Sequence, residues 1–261
     1  MSNICIVIPA YNNVSTLNNV VEDVKRYTEN IIIINDGSTD TTEDLLNNYK
    51  SPIQIISYPK NMGKGFALKQ GFNLAIKTGF KAAITFDADG QHSAENLPLF
   101  FKTHKEYPNA IITGSRNLKQ PNMPAKNTFA NKLSNFWFTV QTSKHIPDTQ
   151  TGFRLYPLQI MKNIKTVTKR YEAELEILVR AAWKNIPIVP IPINVRYFEP
   201  NTRISHFHPV KDFLRISMLN TLLCFVAIIY GYPSMTVGKI KELLILLQKK
   251  NSSSSKTNSE T

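Results

Sequence analysis

An α/β fold on a mostly parallel, doubly wound sheet is what this sequence predicts, on three observations. Short apolar, β-branched runs alternate with segments of helical periodicity through the first hundred residues, joined by short loops. Polar side chains gather where those runs end, at the carboxyl edge where open α/β sheets bind their ligands. The chain, 261 residues long with 42% hydrophobic and 19% charged residues, is large enough to bury one substantial core.

The first strand is the run Ile4-Cys5-Ile6-Val7-Ile8, ending at Pro9-Ala10-Tyr11-Asn12-Asn13. Ser15 stands where a helix cap belongs, ahead of Leu17, Val20, Val21 and Val24 at helical spacing. Ile31 to Ile34 is a second strand and leads into Asn35-Asp36-Gly37-Ser38. Asp40 with Glu43 has the form of a capping box before a short helix carrying Leu45, Leu46 and Tyr49. A third strand, Ile53 to Ile56, precedes the glycine-rich turn Asn61-Met62-Gly63-Lys64-Gly65. The following helix aligns Leu68, Phe72, Ala75 and Ile76 and stops at Gly79.

The strand Ala82 to Phe86 then delivers Asp87-Ala88-Asp89-Gly90-Gln91-His92. Two carboxylates and a side-chain amide on a tight turn suit a hard divalent cation, Mg²⁺ or Mn²⁺, that itself holds a diphosphate. An Asx turn would account for the two aspartates alone. An EF-hand is excluded, because His92 stands where that loop needs Gly and Pro98 where it needs Glu. Neither GxGxxG nor GxxxxGK[ST] occurs, which removes the dinucleotide and P-loop phosphate cradles.

Taken together, Ile8-Pro9-Ala10-Tyr11-Asn12, Asn35-Asp36-Gly37-Ser38, Asn61-Met62-Gly63-Lys64-Gly65 and Asp87-Ala88-Asp89-Gly90-Gln91-His92, in this order, resemble the family 2 glycosyltransferases of GT-A fold. Within that family the resemblance is to dolichol-phosphate mannose synthase-like enzymes, over roughly residues 4 to 210. It implies that Pro9, Tyr11, Asn13, Asp36, Lys64 and Asp87 line the nucleotide-sugar pocket, and that Asp87, Asp89 and Gln91 hold the metal. The family often carries Glu where this chain has Asn13, a weaker acceptor, which leaves the donor's base and sugar open.

The second half supplies the acceptor side. A helix with Leu97, Phe100 and Phe101 and a strand Ala110 to Thr113 lead to Gly114-Ser115-Arg116. Leu118 to Lys126, with Pro121 and Pro124, reads as a loop. Residues 127–142 read as a helix whose stripe of Phe129, Leu133, Phe136, Trp137 and Val140 is expected to pack in the core. Asp148-Thr149-Gln150-Thr151-Gly152-Phe153-Arg154 resembles the family's Asp-x-x-Ser/Thr-Gly-Phe-Arg segment at the reaction centre. Asp148 is then either a general base, needed for a sugar-hydroxyl acceptor, or an organiser of the loop around Arg154 for a phosphate acceptor that needs no base. The resemblance makes Asp89, Asp148 and Arg154 the catalytic candidates and Arg116, Arg154 and Arg203 the acceptor-phosphate candidates, guanidinium being suited to phosphate oxygens. In Glu172 to Lys184, a helix by periodicity, the alternating Glu172, Glu174 and Glu176 read as a solvated face. Ile186 to Val195, broken by Pro187, Pro190 and Pro192, reads as an edge strand. His206 and His208 read as surface histidines.

Residues 216–230 are free of charge but only 15 long, short of the ~20 that a spanning helix needs. With Lys211, Arg215, Lys239, Lys241, Lys249 and Lys250 around two short apolar helices, residues 211–250 read as an interfacial element or as core packing. Residues 251–261, rich in Ser and Asn, read as a disordered tail. The formal net charge of +12 suits anionic partners. The basic residues are scattered among strand ends, and no nucleic-acid motif occurs, which argues against nucleic acid. Cys5 and Cys224 make no disulfide framework and no zinc spacing. With no signal-peptide pattern at the start, a cytoplasmic chain peripheral to the inner membrane face is expected.

The sequence therefore predicts a metal-dependent, inverting glycosyltransferase moving a sugar from a nucleoside diphosphate to a polyprenyl phosphate, in residues 1–210. A transferase onto a glycan hydroxyl, a sugar-nucleotide-binding protein without turnover and a basic nucleic-acid-binding protein are the alternatives.

Overall fold

The computed structural model describes residues 3–117, 125–196 and 209–257, with backbone alone for 125–128, 209–213 and 249–257. The β-branched run at the start forms β1 (Ile4–Ala10), followed by α1 (Val14–Lys25), β2 (Ile31–Asp36), α2 (Thr42–Leu46), β3 (Gln54–Tyr58), α3 (Lys64–Lys77) and β4 (Ala82–Thr85). After a 3₁₀ turn come α4 (Leu97–Glu106), β5 (Ile111–Arg116), α5 (Ala125–Thr142), β6 (Arg154–Pro157), α6 (Leu158–Met161), α7 (Glu172–Trp183) and β7 (Ile188–Ile193). Helix α8 (Pro209–Val226) passes through a π-turn, Ala227–Gly231, into α9 (Tyr232–Thr257).

The seven strands form one sheet in the order β3-β2-β1-β4-β6-β5-β7. Only β6 runs antiparallel to its neighbours, β4 and β5. Its first residue therefore lies at the edge where the parallel strands end, and Arg154 stands in register with Thr85 and Thr113. The twofold alternation of strand side chains divides the core. Ile4, Ile6 and Ile8 face α1 and α4 with Phe86, Phe100 and Phe153, while Cys5, Val7, Ile32 and Ile34 face α3, α7 and α8.

Several expectations give way to the tertiary structure. Helix α1 is preceded by Asn13, not Ser15, as its first flanking residue. Residues 118–124 lie outside the described set, and the expected loop ends before Ala125, where α5 begins. On α5 the polarity is reversed: Asn131, Ser134, Phe138 and Gln141 are buried, while Phe129, Phe136 and Val140 are exposed, so the apolar stripe does not pack in the core. The buried polar side chains find partners on other segments: Asn131 donates to Asp148, Ser134 accepts from Thr149, and the Gln141 amide nitrogen donates to Asn220. Nor do the three glutamates of α7 form a solvated face; Glu172, Glu174 and Glu176 are all buried. Glu176 accepts from the Val167 and Thr168 amides, the Thr168 hydroxyl and Arg180 Nε, which fixes the loop before the helix.

The two short apolar helices expected at the C-terminus are continuous. Leu214–Gln248 is 35 residues, long and apolar enough to cross a bilayer; its most apolar stretch has a mean hydropathy of 1.7 and is 28% buried. The π-turn carries the chain through Gly231 without interrupting the helix, and Pro233 stands in the first turn of α9. Gly231 lies against the Trp183 indole, which donates to Gln141 O, so a side chain there would collide with the ring. Asn185 donates to Met235 O, and the Tyr232 hydroxyl to Val140 O. Helix α9 continues to Thr257, through most of the segment expected to be disordered.

Candidate active site

The strand ends bring the predicted polar residues to one edge of the sheet. Pro9 lies near the end of β1 and Tyr11 and Asn13 follow it, Asp36 closes β2, Lys64 opens α3, Asp87, Asp89 and Gln91 follow β4, and Arg116 closes β5. Arg203 lies outside the described residues. Two of these side chains shape the site from behind. Asn13 Oδ1 accepts from the Tyr11 amide at 2.9 Å, bending the chain after β1. The Asp36 carboxylate accepts from the amides of Met62 (2.8 Å) and Gly63 (2.9 Å), which ties the glycine-rich turn to β2. Gly63 needs its φ of +98°, a conformation a side chain would strain.

That turn aims Lys64 inward. Its ammonium stands 2.6 Å from Asp87 Oδ1 and 2.9 Å from Glu174 Oε2. His92 Nε2 lies 3.4 Å from the other Asp87 oxygen. Burial would raise the Asp87 carboxyl, but the Lys64 ammonium and His92 outweigh it and hold it well below the usual range. Lys64 is held above its usual value because Asp87 and Glu174 overcome its desolvation. Asp89 behaves oppositely: burial first, then the Asp87 charge, push its carboxyl up. Its Oδ1 accepts the Gln91 amide at 3.0 Å. Gln91 and His92 are themselves pinned to the segment that follows β7, through Arg196 N donating to Gln91 O and a bridge between His92 and Val195. Gly152 passes so close that a Cβ would come within 2.5 Å of Asp87 Oδ2 and 2.7 Å of Lys64 Nζ. Thr85 holds that backbone by donating to Gly152 O at 2.6 Å.

Asp148 is buried and turned toward Arg116, not Arg154. Arg116 Nε donates to Oδ2 at 2.7 Å and Nη2 to Oδ1 at 3.0 Å, and the carboxylate also accepts from Asn131 and from the amides of Arg116 and Gln150. Burial alone would raise this carboxyl, but the bonds to Arg116 lower it. The expectation for Arg154 needs correcting. Its guanidinium is fully buried and donates to Thr149 O at 2.8 Å and Glu174 O at 2.6 Å, so it braces the loop against α7 and faces no acceptor. In the sequence Glu174 reads as part of a solvated face and His92 is given no part in the site; nothing local marks Glu174 as buried beside Lys64 and near Asp87, which lie far from it in the chain.

Among the described residues, no three His, Cys, Asp or Glu side chains converge as a ready-made metal cage. Asp87 and Asp89 nevertheless fit a hard cation. They are oxygen donors one residue apart on a turn, and Asp89 carries the unfavourable charge of its neighbour, which a cation would offset. Two carboxylates with further ligands from a bound diphosphate are a common way to hold Mg²⁺ or Mn²⁺.

Residues 5–164 match the family model described as glycosyl transferase family 2. The chain belongs to this family. It is a glycosyltransferase, and its seven-stranded mixed sheet is that of the GT-A enzymes. Among its relatives is a UDP-N-acetylglucosamine–dolichyl-phosphate N-acetylglucosaminyltransferase of Methanococcus voltae, 29% identical over 75% of this chain and 86% of the relative. Another is a dolichyl-phosphate β-glucosyltransferase of Dictyostelium discoideum, 30% identical over 72% of this chain and 65% of the relative. Among solved structures, glucosyl-3-phosphoglycerate synthase of Mycobacterium tuberculosis, in complex with Mn²⁺, UDP-glucose and phosphoglyceric acid, has a TM-score of 0.64 at 16% identity. That alignment covers 86% of this chain and 79% of the synthase.

Proposed function

We propose that this glycosyltransferase moves a sugar, with inversion, from a nucleoside-diphosphate donor to the phosphate of a polyprenyl phosphate at the cytosolic face of the membrane. The observation that carries the choice of acceptor is the state of Asp148. A hydroxyl acceptor needs a base with a free oxygen. Both oxygens of Asp148 are instead engaged by Arg116, Asn131 and backbone amides. A phosphate is already an anion and needs no base. Dolichyl-phosphate transferases among the relatives support the same reading.

In this reading Pro9, Tyr11, Asn13, Asp36, Lys64 and Asp87 form the nucleotide-sugar pocket. Asp87, Asp89 and Gln91 hold Mg²⁺ or Mn²⁺, which when bound offsets charge on the leaving diphosphate. Arg116, oriented by Asp148, meets the acceptor phosphate, with Arg203 as the second candidate cation. Arg154 serves by keeping Gly152 against Asp87. Residues 1–210 carry the chemistry, and 211–250 place it at the membrane. The exposed Phe129 and Phe136 of α5, which packs on α8, extend the apolar surface of that element.

The test is nucleoside-diphosphate release by the purified protein with Mn²⁺, across UDP- and GDP-sugars, with and without a short polyprenyl phosphate. Release that requires the lipid, the metal and Asp89, and that is only weakened in Asp148→Asn, is the expected result. Release restored by a sugar acceptor and abolished in Asp148→Asn would move the assignment to a hydroxyl-directed transferase.

A further inference from the structure

Glu174 has no part in the family motifs quoted above, yet it reaches the centre of the site. It stands in the first turn of α7, its side chain only 10% exposed, with Oε2 at 2.9 Å from Lys64 Nζ. Its other oxygen, Oε1, is buried without a hydrogen-bond partner among the described residues. Its backbone carbonyl is gripped by Arg154, so the residue is held from two sides. The groups facing Lys64 are therefore Asp87, Glu174 and the backbone at Gly152.

An ammonium 2.6 Å from Asp87 is an awkward neighbour for a divalent cation. It occupies one oxygen of a ligand and repels the incoming charge at close range, where screening by water is weak. We propose that Glu174 is a positioning residue that neutralises Lys64, leaving Asp87 and Asp89 as two uncompensated carboxylates facing a doubly charged ion. Lys64 and Glu174 together add no net charge to the site, but they fix the Asp87 carboxylate in place. Either one alone spoils the balance. Without Glu174 the ammonium falls wholly on Asp87 and opposes the cation. Without Lys64 a third carboxylate is released into the site.

This inference rests on the metal-dependent reading, and the experiment separates the two. Mn²⁺ binding is measured by the loss of the free-ion electron paramagnetic resonance signal, with and without UDP, in the wild type, Glu174→Gln, Lys64→Met and the double variant. Folding of each is followed by circular dichroism. Glu174→Gln is expected to weaken Mn²⁺ binding by roughly ten-fold or more, as one unscreened charge at this range would. Lys64→Met is expected to tighten it, and the double variant to return within about three-fold of wild type, since the two changes share one interaction. A residue that merely supported the fold would show no such rescue. Should Glu174→Gln fail to fold, the double variant, which leaves no buried charge unpaired at this pair, still decides the matter against Lys64→Met. Equal binding in all four proteins would overturn the role of Glu174 and leave the metal site standing. No Mn²⁺ binding by the wild type, with or without UDP, would overturn both.

Discussion

At Asp148 the sequence leaves two roles open, base or organiser, and the partners around the carboxylate distinguish them. Arg116 binds it through two guanidinium nitrogens, and the Asp148 side chain is fully buried. Removing the charge of a buried partner leaves the other ion uncompensated, so Asp148→Asn is expected to lower stability by about 3 kcal/mol at neutral pH. The sign of the pH dependence follows from the lowered carboxyl. A carboxylate whose folded pKa lies below its unfolded value of about 3.9 stabilises the fold above that value, and the contribution is lost as pH falls through the folded pKa. The gap between wild type and Asp148→Asn should therefore be full at pH 7 and close below about pH 4, as read from denaturant unfolding across that range. A gap that stayed constant to low pH would mean that the pair contributes nothing through its charge.

Helices α5 and α7 show why periodicity alone misjudged which faces are buried. A hydrophobic stripe at helical spacing is expected to face the core. Helix α5 turns that stripe outward and buries Asn131, Ser134 and Gln141, because each finds a polar partner on another segment. Helix α7 buries Glu174 beside Lys64 and Glu176 beside the Val167 and Thr168 amides for the same reason, and Glu176 shows the energetic stake. Its carboxylate takes the amides of Val167 and Thr168 together with Arg180, so Glu176→Leu would strand all of them. Loss of charge-assisted bonds to buried donors costs roughly 2–4 kcal/mol. The loop it holds carries Lys169, whose carbonyl accepts from Phe66 in the first turn of α3. Urea unfolding of Glu176→Leu should show this loss of stability, and donor KM should rise as the Lys64 turn loosens. An unchanged midpoint would sink the account.

Over the whole molecule, the carboxyl edge of the sheet and the apolar helix are joined through α5, which touches Asp148 at one end and Asn220 of α8 at the other. The outer side of α8 and α9 presents Met218, Phe225, Ile228, Ile229 and Leu243 to Leu247 to solvent, with Lys239 and Lys241 between them. Such a surface binds a membrane through apolar burial together with attraction to anionic lipid. Leu244→Glu/Leu247→Glu should lower co-sedimentation with vesicles containing phosphatidylglycerol by about ten-fold or more, while donor binding is retained. High salt should weaken the wild-type interaction only in part, because the apolar share is not screened. Undiminished sedimentation of the double variant would place the membrane contact elsewhere.

What the sequence by itself determined is the part written in local patterns. Apolar runs and helical spacing set the alternation of strands and helices, and strand-end residues such as Asp36, Asp87, Asp89 and Arg116 followed from it, because a parallel sheet carries every such turn to the same edge. Only the tertiary structure decided which charges meet there. Lys64 and Glu174 are far apart in the chain, as are Arg116 and Asp148, and no spacing rule relates them. It also decided that Arg154 is a buried brace, that α5 faces its polar side inward, and that two apolar segments make one helix. The physical reason is common to the first two. Burying a polar or charged group is tolerable only where partners from distant segments satisfy it, and those partners exist only once the chain has folded.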